Sequence, residues 1–217
     1  MAKITGPLLS MSARGQIGKA MVTSKWRGIA YARQYVQPAN PRTIAQQANR
    51  TRFALLREMF KIAPAVVRAP WDAFTQGRPF LPVNKFVGEN NLLLNANPTF
   101  EAAIMSPGAR GGLPPVAVVA ANGVADGDIT VTVTPPDVLP EGWNITAVHA
   151  AAILEQDPTG IFSGPFVAGS DAAAPYEVAL GGFALADNLV AYGWIEYEKP
   201  NGQAAYSVSL SSPVVIA

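Results

Sequence analysis

Ile129-Thr130-Val131-Thr132-Val133-Thr134 decides how the C-terminal half of this sequence is read. Apolar β-branched and hydroxyl residues alternate one for one. In an extended chain successive side chains face opposite sides of a sheet, so the segment has one apolar face and one polar face. Further strand-like segments lie at residues 116–120, 145–154, 176–180, 189–197, 204–210 and 213–216. Turn signals separate them, notably Asp126-Gly127-Asp128, Asp157-Pro158-Thr159-Gly160 and Pro200-Asn201-Gly202. Seven short strands within residues 113–217 predict an all-β sandwich.

Upstream the period changes. Residues 95–112 are rich in Asn, Pro and Gly and are expected to separate an N-terminal region, residues 1–112, from the sandwich. Within 1–112 the clearest element is a helix over about residues 41–63, announced by Asn40-Pro41 as N-cap and first helical residue. Ile44, Ala48, Leu55, Met59 and Ile62 form its expected core face. Arg42, Gln46, Arg50, Arg57 and Lys61 fill a second sector, with Phe53 and Phe60 at its edge. Pro64 ends the helix, and Pro70-Trp71-Asp72-Ala73-Phe74 reads as the first turn of a short second one. A third spans residues 83–94, with Val83, Phe86, Val87, Asn90 and Leu94 on one side. Before all of these, residues 20–23 and 29–36 read as strands joined across Ser24-Lys25-Trp26-Arg27-Gly28, a hairpin or extended arm. Ile29, Tyr31, Arg33 and Tyr35 share one side of the second strand, so neither side is strongly apolar. The N-terminal region is therefore α+β.

The chain has 217 residues, 49% hydrophobic and only 14% charged, so it can bury a real core and is not a solvated disordered chain. It contains no Cys and one His, which excludes disulfide frameworks, thiolate nucleophiles and Cys-type zinc sites. The net charge of +1 hides a division. Residues 1–112 hold 15 of the 16 bases against four acids, a balance of +11, whereas residues 113–217 hold Lys199 against 11 acids, a balance of −10. Halves so unlike are expected to face different partners, the basic one being drawn to phosphate or acidic protein surfaces; the alternative is that the halves neutralise each other within one molecule or between neighbouring copies. Gly6 and Pro7 interrupt the apolar patch at Leu8 and Leu9, so no signal-peptide core is expected, and no run of ~18 apolar residues suggests a membrane span.

The stretch Leu189-Val-Ala-Tyr-Gly-Trp-Ile-Glu-Tyr-Glu-Lys-Pro-Asn-Gly-Gln-Ala-Ala-Tyr-Ser207 resembles the last hairpin of an immunoglobulin-like or fibronectin type III module, with Trp143 in its core. That resemblance implies an immunoglobulin-like β-sandwich over residues 113–217. Trp26-Arg27-Gly28, the run Asn40-Pro-Arg-Thr43…Gln46/Gln47…Arg50…Phe53, and Trp71…Phe74 resemble phage and prophage proteins encoded among virion structural genes. Those proteins pair a basic N-terminal region with a β-rich C-terminal part. The resemblance implies a virion protein made in the host bacterial cytoplasm, and it supplies no catalytic residues.

Together these readings predict a non-enzymatic structural protein of a tailed-phage virion, serving as capsid decoration or as a tail or neck accessory. Its expected docking residues are Arg14, Lys19, Lys25, Trp26, Arg27, Tyr31, Arg33, Tyr35, Arg42, Arg50, Phe53, Arg57, Phe60 and Lys61, because Arg, Trp and Tyr anchor protein interfaces. The expected partners are other virion proteins, in an oligomeric assembly; nucleic acid is disfavoured by the acidic half and the absence of a DNA- or RNA-binding signature. A receptor- or glycan-binding adhesin is the alternative, and a cell-wall hydrolase a remote one. No catalytic group, cofactor or metal is expected. His149 has no second imidazole or thiolate beside it in the sequence and reads as structural, Asp126-Gly127-Asp128 reads as a turn, and Gly15-Gln16-Ile17-Gly18-Lys19 lacks the spacing of a phosphate loop.

Overall fold

The computed structural model describes residues 2–3, 14–26, 29–37, 39–156 and 162–216, with backbone only at Ala2, Lys3 and Trp26. The chain forms two compact units, Met1–Arg42 and Thr43–Ala217.

Met1–Arg42 holds four antiparallel strands, β1 (Ala2–Lys3), β2 (Gly15–Ile17), β3 (Met21–Trp26) and β4 (Ile29–Gln34), in the order β1-β4-β3-β2. Gly18, at φ +54°, turns the chain between β2 and β3, and the Ala20 N–H closes the turn on the Ile17 carbonyl at 3.3 Å. The two expected strands are β3 and β4; the connection at Arg27-Gly28 lies outside the described residues. Val22 pairs with Arg33 and Ser24 with Tyr31, so one side of the sheet mixes aliphatic, polar, aromatic and basic groups. Thr23 is the only fully buried residue among those described in this unit.

Thr43–Ala217 begins with three helices, α1 (Ile44–Ile62), α2 (Ala65–Thr75) and α3 (Pro82–Ala96). Helix α1 starts later than Asn40-Pro41 suggests. Arg42 has φ +49°, which no α-helix accommodates, and the Thr43 hydroxyl accepts the Gln46 N–H at 3.4 Å. Thr43…Gln46 has capping-box spacing, and it displaces the Asn-Pro signal. The buried arc of α1 is Arg52, Leu55, Leu56, Met59 and Phe60, whereas Ile44 is 88% and Ile62 50% exposed. Pro64 ends α1 as expected, but α2 runs through Pro70, where the ring removes the donor that the Val66 carbonyl would receive. Burial of Trp71, whose indole N–H donates to the Met105 carbonyl at 2.7 Å, offsets that loss. Helix α3 buries Phe86, Val87, Asn90 and Leu94, the side read from sequence. The Asn90 amide donates to the Phe86 and Ile104 carbonyls and accepts the Ile104 N–H at 2.7 Å, tying the following loop to the helix.

Short 3₁₀ turns at Phe100–Ala102 and Ala109–Gly111 lead into eight strands: β5 (Ala117–Asn122), β6 (Ile129–Thr134), β7 (Asn144–Leu154), β8 (Phe166–Asp171), β9 (Glu177–Leu180), β10 (Asn188–Glu198), β11 (Ala204–Tyr206) and β12 (Leu210–Val215). β5-β6-β9 form one antiparallel sheet; in the other, β8-β7-β10 continue into β11 and β12, which pair end to end along β10. Strand β8 was not foreseen, since its residues are nearly all half-buried and do not alternate.

Between the sheets, Ile129, Val131 and Val133 of β6 and Val178 and Leu180 of β9 pack on Val148, Ala150 and Ala152 of β7 and on Leu189, Ala191 and Ile195 of β10. The opposite side of β7 and β10 presents Ala151, Ile153, Val190, Tyr192 and Trp194 to Leu55, Leu56, Met59, Trp71 and Phe86. Strands covered on both sides read as continuous apolar runs, which explains the unbroken Ala150-Ala151-Ala152-Ile153. The layers are close: a Cβ on Gly193 would lie 2.6 Å from Val133 Cγ2. The helices and sheets thus share a core. The boundary expected at Gly112–Leu113 lies inside one unit, and the division between units falls at Arg42–Thr43. The fold is α+β with antiparallel sheets.

Candidate functional site

On α1 the exposed residues off the buried arc include basic and aromatic ones. Arg50, Phe53, Arg57 and Lys61 follow one another at intervals of three, four and four, which at 100° per residue holds them within a narrow exposed stripe. Phe53 is 50% exposed, a large apolar ring among three cations. Lys61, in the last turn, where a cation complements the helix dipole, lies 3.5 Å from Glu58, and both side chains are well exposed. An exposed ring flanked by guanidinium groups suits an acidic or amphipathic protein surface: the ring supplies apolar area and the cations supply orientation.

Phe60 does not belong to this stripe. It is 8% exposed and its ring centroid lies 5.0 Å from that of Phe86. Position 60 follows Met59 into the groove where α3 packs, so the edge of the basic sector predicted from the helical wheel is part of the core. Sequence reading also missed Arg52, which is buried and donates from Nη1 to Asn95 Oδ1 at 3.1 Å. Its position one turn before Leu55 and Leu56 carried the signal.

The remaining expected docking residues lie in Met1–Arg42. Arg14 precedes β2, Lys19 occupies the β2–β3 turn, Lys25 lies on β3 and Arg33 on β4, all exposed. Tyr31 and Tyr35 are half-buried. By register Tyr31 and Arg33 share a side, and Lys25, opposite Ala30, lies on the other. Arg42 is exposed at the end of the unit. Arg27 lies outside the described residues, as does the Trp26 side chain. This unit carries seven bases (Lys3, Arg14, Lys19, Lys25, Arg27, Arg33, Arg42) and no Asp or Glu.

His149 is 7% exposed on β7, opposite Trp194 of β10, the two rings 5.7 Å apart. Its Nε2 lies 2.9 Å from Glu196 Oε2, and the Tyr206 hydroxyl donates to Glu196 Oε1 at 3.2 Å. The hydrogen bond from His149 holds the Glu196 carboxyl below the usual range, and burial, reinforced by Glu196, pushes Tyr206 up to about 12. A carboxylate shared by an imidazole and a phenol fastens three strands together. Asp126-Gly127-Asp128 forms the β5–β6 turn, with Gly127 at φ +82° and the Asp128 N–H on the Ala125 carbonyl. Among the described residues no three His, Asp or Glu side chains gather as metal ligands, and no helix is long and apolar enough to cross a membrane.

Two clefts of the Thr43–Ala217 unit went unnoticed in the sequence. One, of about 520 Å³, is lined by Thr99, Glu101, Glu155 and Asn188 among others; burial raises the Glu155 carboxyl. The other, of about 580 Å³, holds Arg78 and Arg110. The partners in both are far apart in sequence, so only the fold brings them together.

Comparison with curated proteins gives no match to this chain. Residues 12–157, about two thirds of the chain, match a family described as a family of unknown function (DUF6266). That span runs from the basic strands through all three helices to the end of β7, and the chain belongs to this family.

Proposed function

We propose that the chain is a structural assembly protein of a tailed-phage virion, gripping other virion subunits through its basic N-terminal strands and the exposed stripe of α1. One observation carries this reading: the Met1–Arg42 sheet buries only Thr23 among its described residues, yet holds seven bases and no acid. A sheet of short strands needs an apolar face covered by something, and a surface of uniform positive charge is drawn to an acidic partner. Arg50, Phe53, Arg57 and Lys61 supply a second contact of the same character. The virion setting rests on the resemblance carried by Trp26-Arg27-Gly28 and residues 40–53.

The strand order supports an immunoglobulin-like reading of residues 113–217. β5-β6-β9 correspond to strands A, B and E, and β8-β7-β10-β12 to C′, C, F and G. In this chain that sandwich carries a helical layer on one side, so it forms with the helices the rigid body that bears α1.

Virions assembled with an epitope-tagged copy, then cross-linked and analysed by mass spectrometry, test the assignment. Cross-links from Lys19, Lys25 and Lys61 to other virion proteins are expected. A chain that purifies as a monomer and binds no particle component overturns it.

A further inference from the structure

The cleft of about 580 Å³ lies between the C-terminal end of α2, the Ala109–Gly111 turn and Gln203 in the β10–β11 connection. Arg78 and Arg110 both line this concavity, and no Asp or Glu does. Arg78 stacks on Phe74, its guanidinium carbon 4.6 Å from the ring centroid. Stacking occupies the faces of a guanidinium and leaves its five in-plane N–H donors for a ligand. Among the described residues Arg78 makes no ion pair.

Arg110 is held differently. It has φ +57°, a conformation non-glycine residues rarely adopt and one that gathers at binding sites. Its turn is pinned: Lys199 donates to the Arg110 carbonyl at 2.6 Å, and a Cβ on Gly112 would collide with the Tyr206 backbone. Two guanidinium N–H groups are engaged, by the Ala204 carbonyl at 3.1 Å and by Gln76 Oε1, so three are unengaged among the described residues. The turn thus presents an oriented cation in the same cleft as the one stacked on Phe74, with the amides of Gln76 and Gln203 at the rim.

We infer that this cleft binds the carboxylates of an acidic peptide segment contributed by a partner protein. Paired planar forks match carboxylate oxygens bidentately. The cleft sits at the carbonyl end of α2, whose partial negative charge opposes a phosphate dianion more strongly than a single carboxylate. Gln76, Gly77, Arg78, Gly111 and Gln203 are all exposed, so the ligand is presented from outside on a chain. Only its identity as a protein segment rests on the assembly reading.

The test is fluorescence anisotropy of a labelled hexaglutamate peptide with the full chain at low salt. Wild type is expected to bind, and Arg78→Glu to weaken binding by about tenfold or more, the scale of a lost charge-assisted hydrogen bond. Arg78→Gln serves as a milder variant, with circular dichroism and urea midpoints verifying the fold of both. Arg68→Glu, which reverses an exposed cation outside the cleft, is expected to keep the peptide, and R50E/R57E/K61E reports any binding through α1. Inorganic phosphate and oligogalacturonate are expected to compete more weakly than unlabelled peptide. No binding by wild type, binding unchanged in both Arg78 variants, or displacement by phosphate or the sugar acid as effective as by peptide overturns the inference. If the α1 variant loses the peptide while the Arg78 variants keep it, the cleft assignment falls and docking through α1 stands.

Discussion

His149 Nε2 on β7 lies 2.9 Å from Glu196 Oε2 on β10, two residues beyond its direct cross-strand neighbour Trp194. The contact depresses the Glu196 carboxyl from its ordinary value of 4.5. A carboxyl whose pKa is lower folded than unfolded contributes stability that is complete above the unfolded value and is lost as the pH falls through the folded one. Acidification below about pH 4.5 therefore removes the fastening of β7, β10 and β11. Glu196→Gln is expected to be less stable than wild type at neutral pH, with a shallower fall in urea midpoint between about pH 5 and pH 3. Parallel acid limbs in the two proteins would show that the pair contributes nothing.

Phe53 and Phe60 stand seven residues apart on α1 and meet opposite fates. Phe60→Ala empties a site against Phe86 and is expected to cost about 3–5 kcal/mol, read as a fall in urea midpoint at constant slope. Phe53→Ala removes an exposed ring and is expected to stay within about 0.5 kcal/mol of wild type. Equal effects would contradict the register of α1 on α3.

Truncation separates the expected domain boundary from the observed one. Both hydrophobic cores are built from residues beyond Thr43, so the fragment 43–217 is expected to fold with a cooperative transition. The fragment 113–217 exposes Ile153, Val190, Tyr192 and Trp194 by losing the helices, and is expected to aggregate or to bind a hydrophobic dye. A soluble, cooperatively folding 113–217 would restore the boundary at Gly112.

The sequence was legible wherever one physical signal acted alone. Ile129–Thr134 alternates because one side meets the core, and its burial alternates with it. Phe86, Val87, Asn90 and Leu94 repeat at helical spacing because α3 has one covered side. Legibility failed where two signals competed. Asn40-Pro41 and Thr43…Gln46 both announce a helix, and the backbone of Arg42 permits only the second. Val190, Tyr192 and Trp194 look like the outer side of a sandwich strand until the helices are placed over them. Arg78 and Arg110 are 32 positions apart and share a cleft only through tertiary contact.

The docking stripe makes the last distinction. Arg50, Arg57 and Lys61 are exposed and lie off the buried arc of α1, so R50E/R57E/K61E is expected to keep its fold, each exposed change costing within about 0.5 kcal/mol. Reversing three charges around Phe53 turns attraction to an acidic neighbour into repulsion, and like-charge contact at an interface costs several kcal/mol. On the proposed virion role, incorporation into particles is therefore expected to fall by orders of magnitude while the circular dichroism spectrum and urea midpoint stay close to wild type. Because screening weakens such contacts, wild-type association should also decline as salt rises from about 0.05 to 0.5 M. Incorporation at the wild-type level by a correctly folded variant would remove α1 from the interface.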